Sequence, residues 1–247
     1  MFYMHPCFNE LTKEFSTNAI RLTKDKQWIL INPAYNEYVE NALKALSNVD
    51  RVSAKEKIDE IIREKTTWKD EYHNQALDVF VELLGCKVLY DYGYKPEFIP
   101  KTTVQTPDIE GRKLGTHAIM ECKNIRNSEF DNADKKNRKP LEVVTLLTRE
   151  NDEYILNRDS SINPFLRKLQ HKLEEAIGQL NTIEADTKII CLNIHFDLRF
   201  SYSLQIIEDI AEKIIKPEAD LLLERGIRLH CFENYNPSKV IFSNLTI

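Results

Sequence analysis

Two acids and a lysine stand close together in the stretch Thr106–Asn124, which reads TPDIEGRKLGTHAIMECKN. Asp108 follows a proline, and Glu121 and Lys123 sit two residues apart at the end of an apolar run. In an extended strand successive side chains point to opposite faces. Glu121 and Lys123 therefore share a face with Ile119, while Ala118, Met120 and Cys122 take the other. Gly111 to Gly115 supplies a turn, so Asp108 comes from the first strand of a hairpin and the Glu-x-Lys pair from the second. Two carboxylates beside an ammonium make a site for a hard divalent cation and a water, which is the equipment of hydrolysis.

Asp108, Glu121 and Lys123 in this arrangement resemble the PD-(D/E)xK signature of the restriction-endonuclease-like nucleases. The resemblance covers roughly residues 66 to 200. It implies an α/β fold with a restriction-endonuclease-like core, a central mixed sheet flanked by helices. It also implies that Mg²⁺ (or Mn²⁺) is held by Asp108, Glu121 and the main-chain carbonyl of Cys122. An ammonium beside two carboxylates stays protonated, so the role expected of Lys123 is to orient the attacking water and supply positive charge. Members of this family carry an acid or amide on the helix before the first sheet strand. Glu71 is the first choice for that place, with Asn74 and Asp78 as alternatives. The segment AIGQL resembles the helix after the catalytic strand, which makes Gln179 a further site candidate.

The surrounding elements must position these groups. A helix is expected over Trp68–Leu84, where Tyr72, Ala76, Val79, Phe80, Leu83 and Leu84 form one apolar face and Gly85 is the expected stop. Cys86–Tyr90 then reads as the first strand, ahead of the hairpin. Phe165, Leu166, Leu169, Leu173, Ala176, Ile177 and Leu180 predict a helix over Asn163–Ile183, with Pro164 in its first turn. The apolar run Lys188–Phe196 predicts a buried core strand, and His195 on it is read as a packed residue. A helix over Leu204–Ile215, halted by Pro217, precedes strands Ile227–Phe232 and Lys239–Phe242. Residues 1–65 form a mostly helical extension: Tyr35–Leu46 has helical spacing, Ser53 with Glu56 makes a capping box, and Trp28–Ile31 suits a short strand. Residues 66–247 form the nuclease-like domain, with a polar insert over residues 126–162 in which Val143–Leu147 suits either a strand or a helical turn.

The 247 residues are 42% hydrophobic and 30% charged, which is the balance of a soluble globular chain. No apolar run has the length of a membrane span, and the N-terminus lacks the pattern of a secretory signal. Five scattered cysteines without a CxxC pair point to reduced thiols and the cytoplasm, and away from zinc. No Walker or GxGxxG pattern supports nucleotide hydrolysis. The net charge of -5 argues against a broad nucleic-acid-coating surface, so phosphate contacts must come from local clusters. Two are present: Lys135, Lys136, Arg138 and Lys139 in the insert, and Arg167, Lys168 and Lys172 at the start of the later helix.

The function implied by the resemblance is a metal-dependent endonuclease that hydrolyses phosphodiester bonds, with DNA as the favoured substrate. By family habit it would be a restriction or antiviral defence effector. An RNase is one alternative. A non-catalytic or partner-activated nucleic-acid-binding or assembly subunit on the same fold is another. Nucleic acid is the expected partner and a membrane is not; a homo-oligomer or a complex with a partner protein is left open.

Overall fold

The computed structural model describes residues 46, 70–100, 103, 105–125, 147–150, 153–156, 164–194, 208–233 and 236–245. The expectations for the N-terminal extension other than Leu46, for the insert's basic cluster and for His195 lie outside these residues. The protein has an α/β fold built on a six-stranded mixed sheet. In chain order the elements are α1 (Asp70–Asp91), β1 (Lys95–Phe98), β2 (Ile109–Lys113) and β3 (Thr116–Ile125), then β4 (Leu147–Glu150) and β5 (Glu153–Leu156). There follow α2 (Pro164–Leu180), β6 (Thr187–Ile194), α3 (Lys216–Glu224), β7 (Ile227–Glu233) and β8 (Asn236–Ser243). The main sheet runs β1-β2-β3-β6-β7-β8, and β4-β5 form a separate hairpin.

β3, β6 and β7 are parallel to one another, whereas β1, β2 and β8 pair antiparallel with their neighbours. Parallel strands buried on both faces should read as apolar runs, and six consecutive residues of β6, Ile189–Ile194, are buried. Asn193 is the polar member of that run, only 1% exposed. On one face of the sheet α2 lays Leu166, Leu169, Leu173, Ala176 and Leu180 against Ile119, Ile190, Leu192, Leu229 and Cys231. On the other face lies α1.

Gly85 does not stop α1; the helix continues for another six residues, so Cys86–Tyr90 is helical and the first strand is Lys95–Phe98. The glycine serves packing instead. A β-carbon at Gly85 would lie 2.7 Å from Cys122 Sγ and 2.9 Å from both Ile109 Cδ1 and Met120 Sδ. Its hydrogen lets α1 sit down on the β2–β3 hairpin. The real stop is Gly93, at φ +80°. There Gly93 N–H donates to Tyr90 O and Tyr94 N–H to Leu89 O, the paired bonds of a Schellman cap. Pro96 sits buried in β1, an edge strand where its missing N–H leaves no ladder bond unmade.

Two further expectations are corrected. The hairpin turn is only Leu114–Gly115, both at positive φ (45° and 86°), as a two-residue hairpin turn requires. Gly111 belongs to β2, under Tyr94 and Leu89. Pro217 does not halt its helix either. Residues 208–210 are helical and run through a π turn, Ala211–Ile215, into α3. Lys216 N–H reaches back five residues to Ala211 O, and this wider turn brings the chain to Pro217, which needs no donor. Within the insert, Leu147 opens β4, and residues 143–146 lie outside the described residues.

The tight seat of α1 gives a direct test. Gly85→Ala gains helix propensity, about 1 kcal/mol, but forces a methyl against three core side chains. We expect net destabilisation of about 1–3 kcal/mol, read from the midpoint of urea unfolding. A stabilised variant would show that α1 does not depend on this contact.

Candidate functional site

The register of the β2–β3 hairpin builds the site. Ile109 pairs with Met120 across the ladder, so the next position sets Asp108, the residue before β2, opposite Glu121. Facing residues of an antiparallel pair are the closest cross-strand neighbours. Asp108 is fixed there by its own backbone contact: Cys122 N–H donates to Asp108 Oδ2 at 3.0 Å. Lys123 follows one pleat on. Its Nζ lies 2.7 Å from Glu121 Oε1 and donates to Gln179 Oε1 at 2.6 Å.

Gln179 arrives from the last turn of α2, whose apolar stripe is buried against the same face of β3 and β6. Its other amide atom, Nε2, donates to Thr106 O at 3.2 Å. One side chain thus ties the lysine of β3 to the Thr106–Pro107–Asp108 segment that delivers the first acid. The structure brings Gln179, distant in sequence, together with Asp108, Glu121 and Lys123 of the hairpin.

The electrostatics are unbalanced. Glu121 is 1% exposed; its Oε2 is buried and receives no hydrogen bond from a donor group, while an acid–acid hydrogen bond with Asp108 also helps to keep the carboxyl protonated. Burial first, and the nearby Asp108 carboxylate second, push its pKa up from 4.5 to about 8; the opposing pull of Lys123 is weaker. A bare ion at this place would be costly. The arrangement calls for a proton or a cation at Glu121.

The donor set suits a hard cation. The side-chain donors that face one another are carboxylate oxygens, and one of them is the orphaned Oε2. Among the described residues no group of three or more His, Cys, Asp and Glu side chains could hold a metal ion. Two carboxylates with a main-chain carbonyl still meet the needs of Mg²⁺, which keeps several of its waters. The Cys122 thiol is not part of this set. It points to the α1 side, against Gly85, where burial and the hydrogen bond with Cys191 push its pKa well above the ordinary thiol range.

Comparison with protein-family models, with curated proteins and with solved structures finds no match to this chain. The functional argument therefore rests on the residues themselves.

α1 covers the face of β3 that carries Met120, Cys122 and Asn124, not the face of Glu121 and Lys123. Of the helix candidates, Asp78 accepts from Asn124 Nδ2 at 2.5 Å, and Asn124 Oδ1 accepts from Asn193 Nδ2 at 2.6 Å. Glu71 and Asn74 belong to the first turns of α1, and their side chains lie outside the described residues. The expectation that this helix supplies an acid to the Glu121 face thus has no described side chain behind it.

Of the second basic cluster, Lys172 donates to Glu175 Oε2 at 2.5 Å, and His171 lies 3.5 Å from Glu175 Oε1. Arg167 is exposed and Lys168 half-buried. Glu175 is a residue the sequence reading missed. Burial would raise its pKa, but Lys172 and, more distantly, Lys123 hold it below the usual value. Its place four residues before Gln179, on the same side of a helix, was the available signal. Lys135, Lys136, Arg138 and Lys139 lie outside the described residues. An open cleft of about 470 Å³, lined by His117, Glu184, Ala185, Asp186 and Lys188, lies toward the start of β3 and does not include the Glu121 cluster.

Glu121 carries a pH signature. Between its ordinary value of 4.5 and about 8 the folded protein holds a proton that the unfolded chain has released. Its contribution to stability is therefore full below 4.5 and is lost as pH rises through 8. In EDTA, wild-type stability should decline across this window relative to Glu121→Gln, whose amide does not titrate. Urea unfolding of both proteins as a function of pH measures the difference. Parallel curves would mean that Glu121 is ionised throughout.

Proposed function

We propose that this protein is a divalent-cation-dependent nuclease of the PD-(D/E)xK kind that hydrolyses phosphodiester bonds, with DNA as its favoured substrate. The observation that carries the reading is the Asp108–Glu121–Lys123 cluster, in which Glu121 is buried between the other two half-buried groups and one of its oxygens receives no donor. A structural ion pair has no use for a second acid and a bare oxygen. The element order α1-β1-β2-β3, then the β4-β5 hairpin, then α2-β6, with one acid just before β2 and the other on β3, supports the same reading.

Asp108, Glu121 and the Cys122 carbonyl would hold Mg²⁺ or Mn²⁺, which supplies charge compensation at the phosphate and lowers the pKa of a coordinated water. Lys123 is held by Glu121 and Gln179, so its ammonium is pre-oriented rather than free to rotate. Preorganised charge of this kind costs no rearrangement as negative charge builds on the phosphate oxygens. In this reading it acts as an electrostatic and orienting group. Gln179 keeps both Lys123 and the strand bearing Asp108 in register. Cys122 N–H fixes which oxygen of Asp108 remains directed at the site.

No helix among the described residues is long and apolar enough to cross a membrane. A cytoplasmic nuclease in a restriction or antiviral defence role is part of the proposal, and RNA is the alternative substrate.

The test uses supercoiled plasmid, linear single-stranded DNA and RNA, each with Mg²⁺, Mn²⁺ or EDTA. Wild type should cleave DNA in either metal and not in EDTA. Asp108→Asn, Glu121→Gln and Lys123→Ala should each lower the rate by about 100-fold or more while the circular dichroism spectrum is retained. Because the cation competes with the proton at Glu121, Mg²⁺ should also raise Tm more at the alkaline than at the acid end of the window above. Near wild-type cleavage by Glu121→Gln would refute the metal assignment.

A further inference from the structure

β6 carries one amide in a run of six buried residues. Asn193 is 1% exposed and lies between Leu192 and Ile194, both fully buried. An amide taken out of water is costly unless its hydrogen bonds are replaced. Here Asn193 Nδ2 donates to Asn124 Oδ1 at 2.6 Å, and Asn124 Nδ2 donates to Asp78 Oδ1 at 2.5 Å. The string runs from the interior of β6 through β3 to α1 and ends at a residue that is exposed. A valine or leucine at position 193 would continue the apolar run without these demands, so packing alone does not account for the amide.

Its place in the sheet says what the string does. Asn124 and Asn193 face one another in the parallel ladder, and Asn124 directly follows Lys123. β2 pairs with β3 only as far as Met120, so over Glu121–Ile125 the described ladder is with β6 alone. A slip of β3 by one residue along β6 would turn Glu121 and Lys123 to the wrong face, away from Gln179. It would also part the two amides and leave Asn193 buried without Asn124, at the full cost of desolvation. Fixing register is the best-attested use of a buried polar contact. Asp78 extends the same restraint to α1.

We infer that Asn193, Asn124 and Asp78 are positioning residues for the reactive strand. They fix the register of β3 on β6 and the seat of α1 on both, and so hold Glu121 and Lys123 in place from the opposite face of the sheet. This inference rests on the proposed nuclease reading and adds to it what aligns the reacting groups. It also gives the helix acid a role other than the expected one. Asp78 serves as a hydrogen-bond acceptor behind β3 and not as a ligand of the cation.

The experiment separates an acceptor from a charge. Asp78→Asn keeps an oxygen for Asn124 Nδ2, whereas Asp78→Ala removes it at an exposed position where the fold should survive. Asn124→Asp sets two carboxylates against each other, and adding Asp78→Asn to it restores a donor facing an acceptor. Cleavage of a fluorophore-labelled DNA duplex and of an RNA of the same sequence is measured with Mg²⁺, well below the Tm of each variant. Asp78→Ala and Asn124→Asp should lower kcat by about 10–100-fold with KM unchanged, the mark of misplaced reacting groups. Asp78→Asn and the double variant should retain the wild-type kcat. A lowered Tm with unchanged kcat in Asp78→Ala and Asn124→Asp would show that the string only supports the fold; the inference is then overturned and the nuclease reading stands. Equal losses in Asp78→Asn and Asp78→Ala would show that the charge itself is used, which overturns it as well. Should Asn124→Asp fail to fold, the two Asp78 variants decide between these outcomes. If wild type cleaves neither polymer, the nuclease reading fails and this inference falls with it.

Discussion

A carboxylate buried opposite another carboxylate is the constraint around which this structure is arranged. Glu121 is almost fully sequestered, faces Asp108 across the hairpin, and has one oxygen that receives no donor. Removing such an ion from water costs several kcal/mol even after the protein relaxes, about as much as a typical domain can spare. The surroundings offset part of that cost. Lys123 holds one oxygen, Gln179 holds Lys123, and Cys122 N–H holds Asp108. What is left over is an unsatisfied oxygen atom, and it is the feature on which the proposed cation site rests.

The fold supplies the rigidity that such a cluster needs. β3 is flanked by β2 on one side and β6 on the other, so its main chain cannot shift without breaking two ladders. α1 is locked down on one face through Gly85 and α2 on the other through its leucine stripe. The two faces of β3 therefore do different work. The α2 face carries Glu121 and Lys123. The α1 face carries Cys122 and Asn124, which extend into a string of polar contacts with Asn193 and Asp78. One strand thus serves as packing element and as carrier of the reactive groups, and strand alternation keeps the two roles separate.

The helix glycines illustrate how differently one residue type can be used. Gly85 is required by the side chains packed against it, whereas a β-carbon at Gly178 would meet nothing within 4 Å among the described residues. Gly93 ends a helix by taking up a positive φ. In the sequence these roles are not written, and only the neighbours of each glycine tell them apart.

The sequence alone was sufficient for the Asp108, Glu121 and Lys123 grouping, for α2, and for the strands equivalent to β3, β6, β7 and β8. Those signals are local: strand alternation, a helical period over several turns, and a long apolar run. It misplaced the end of α1 and the first strand because a glycine permits helix continuation whenever close packing rewards it, and that reward comes from Cys122, Ile109 and Met120, which are distant in the chain. It took Pro217 for a stop because a π turn that accommodates a proline has no residue signature of its own. It placed the helix acid by analogy, and that the body of α1 packs on the Met120 and Cys122 face of β3 is decided by tertiary packing. The partnership of Gln179 with Lys123 and Thr106, the burial of Glu121 and the pairing of Lys172 with Glu175 were decided by tertiary structure alone. Each depends on how far two elements approach one another in space, and that distance is set by the packed core rather than by spacing along the chain.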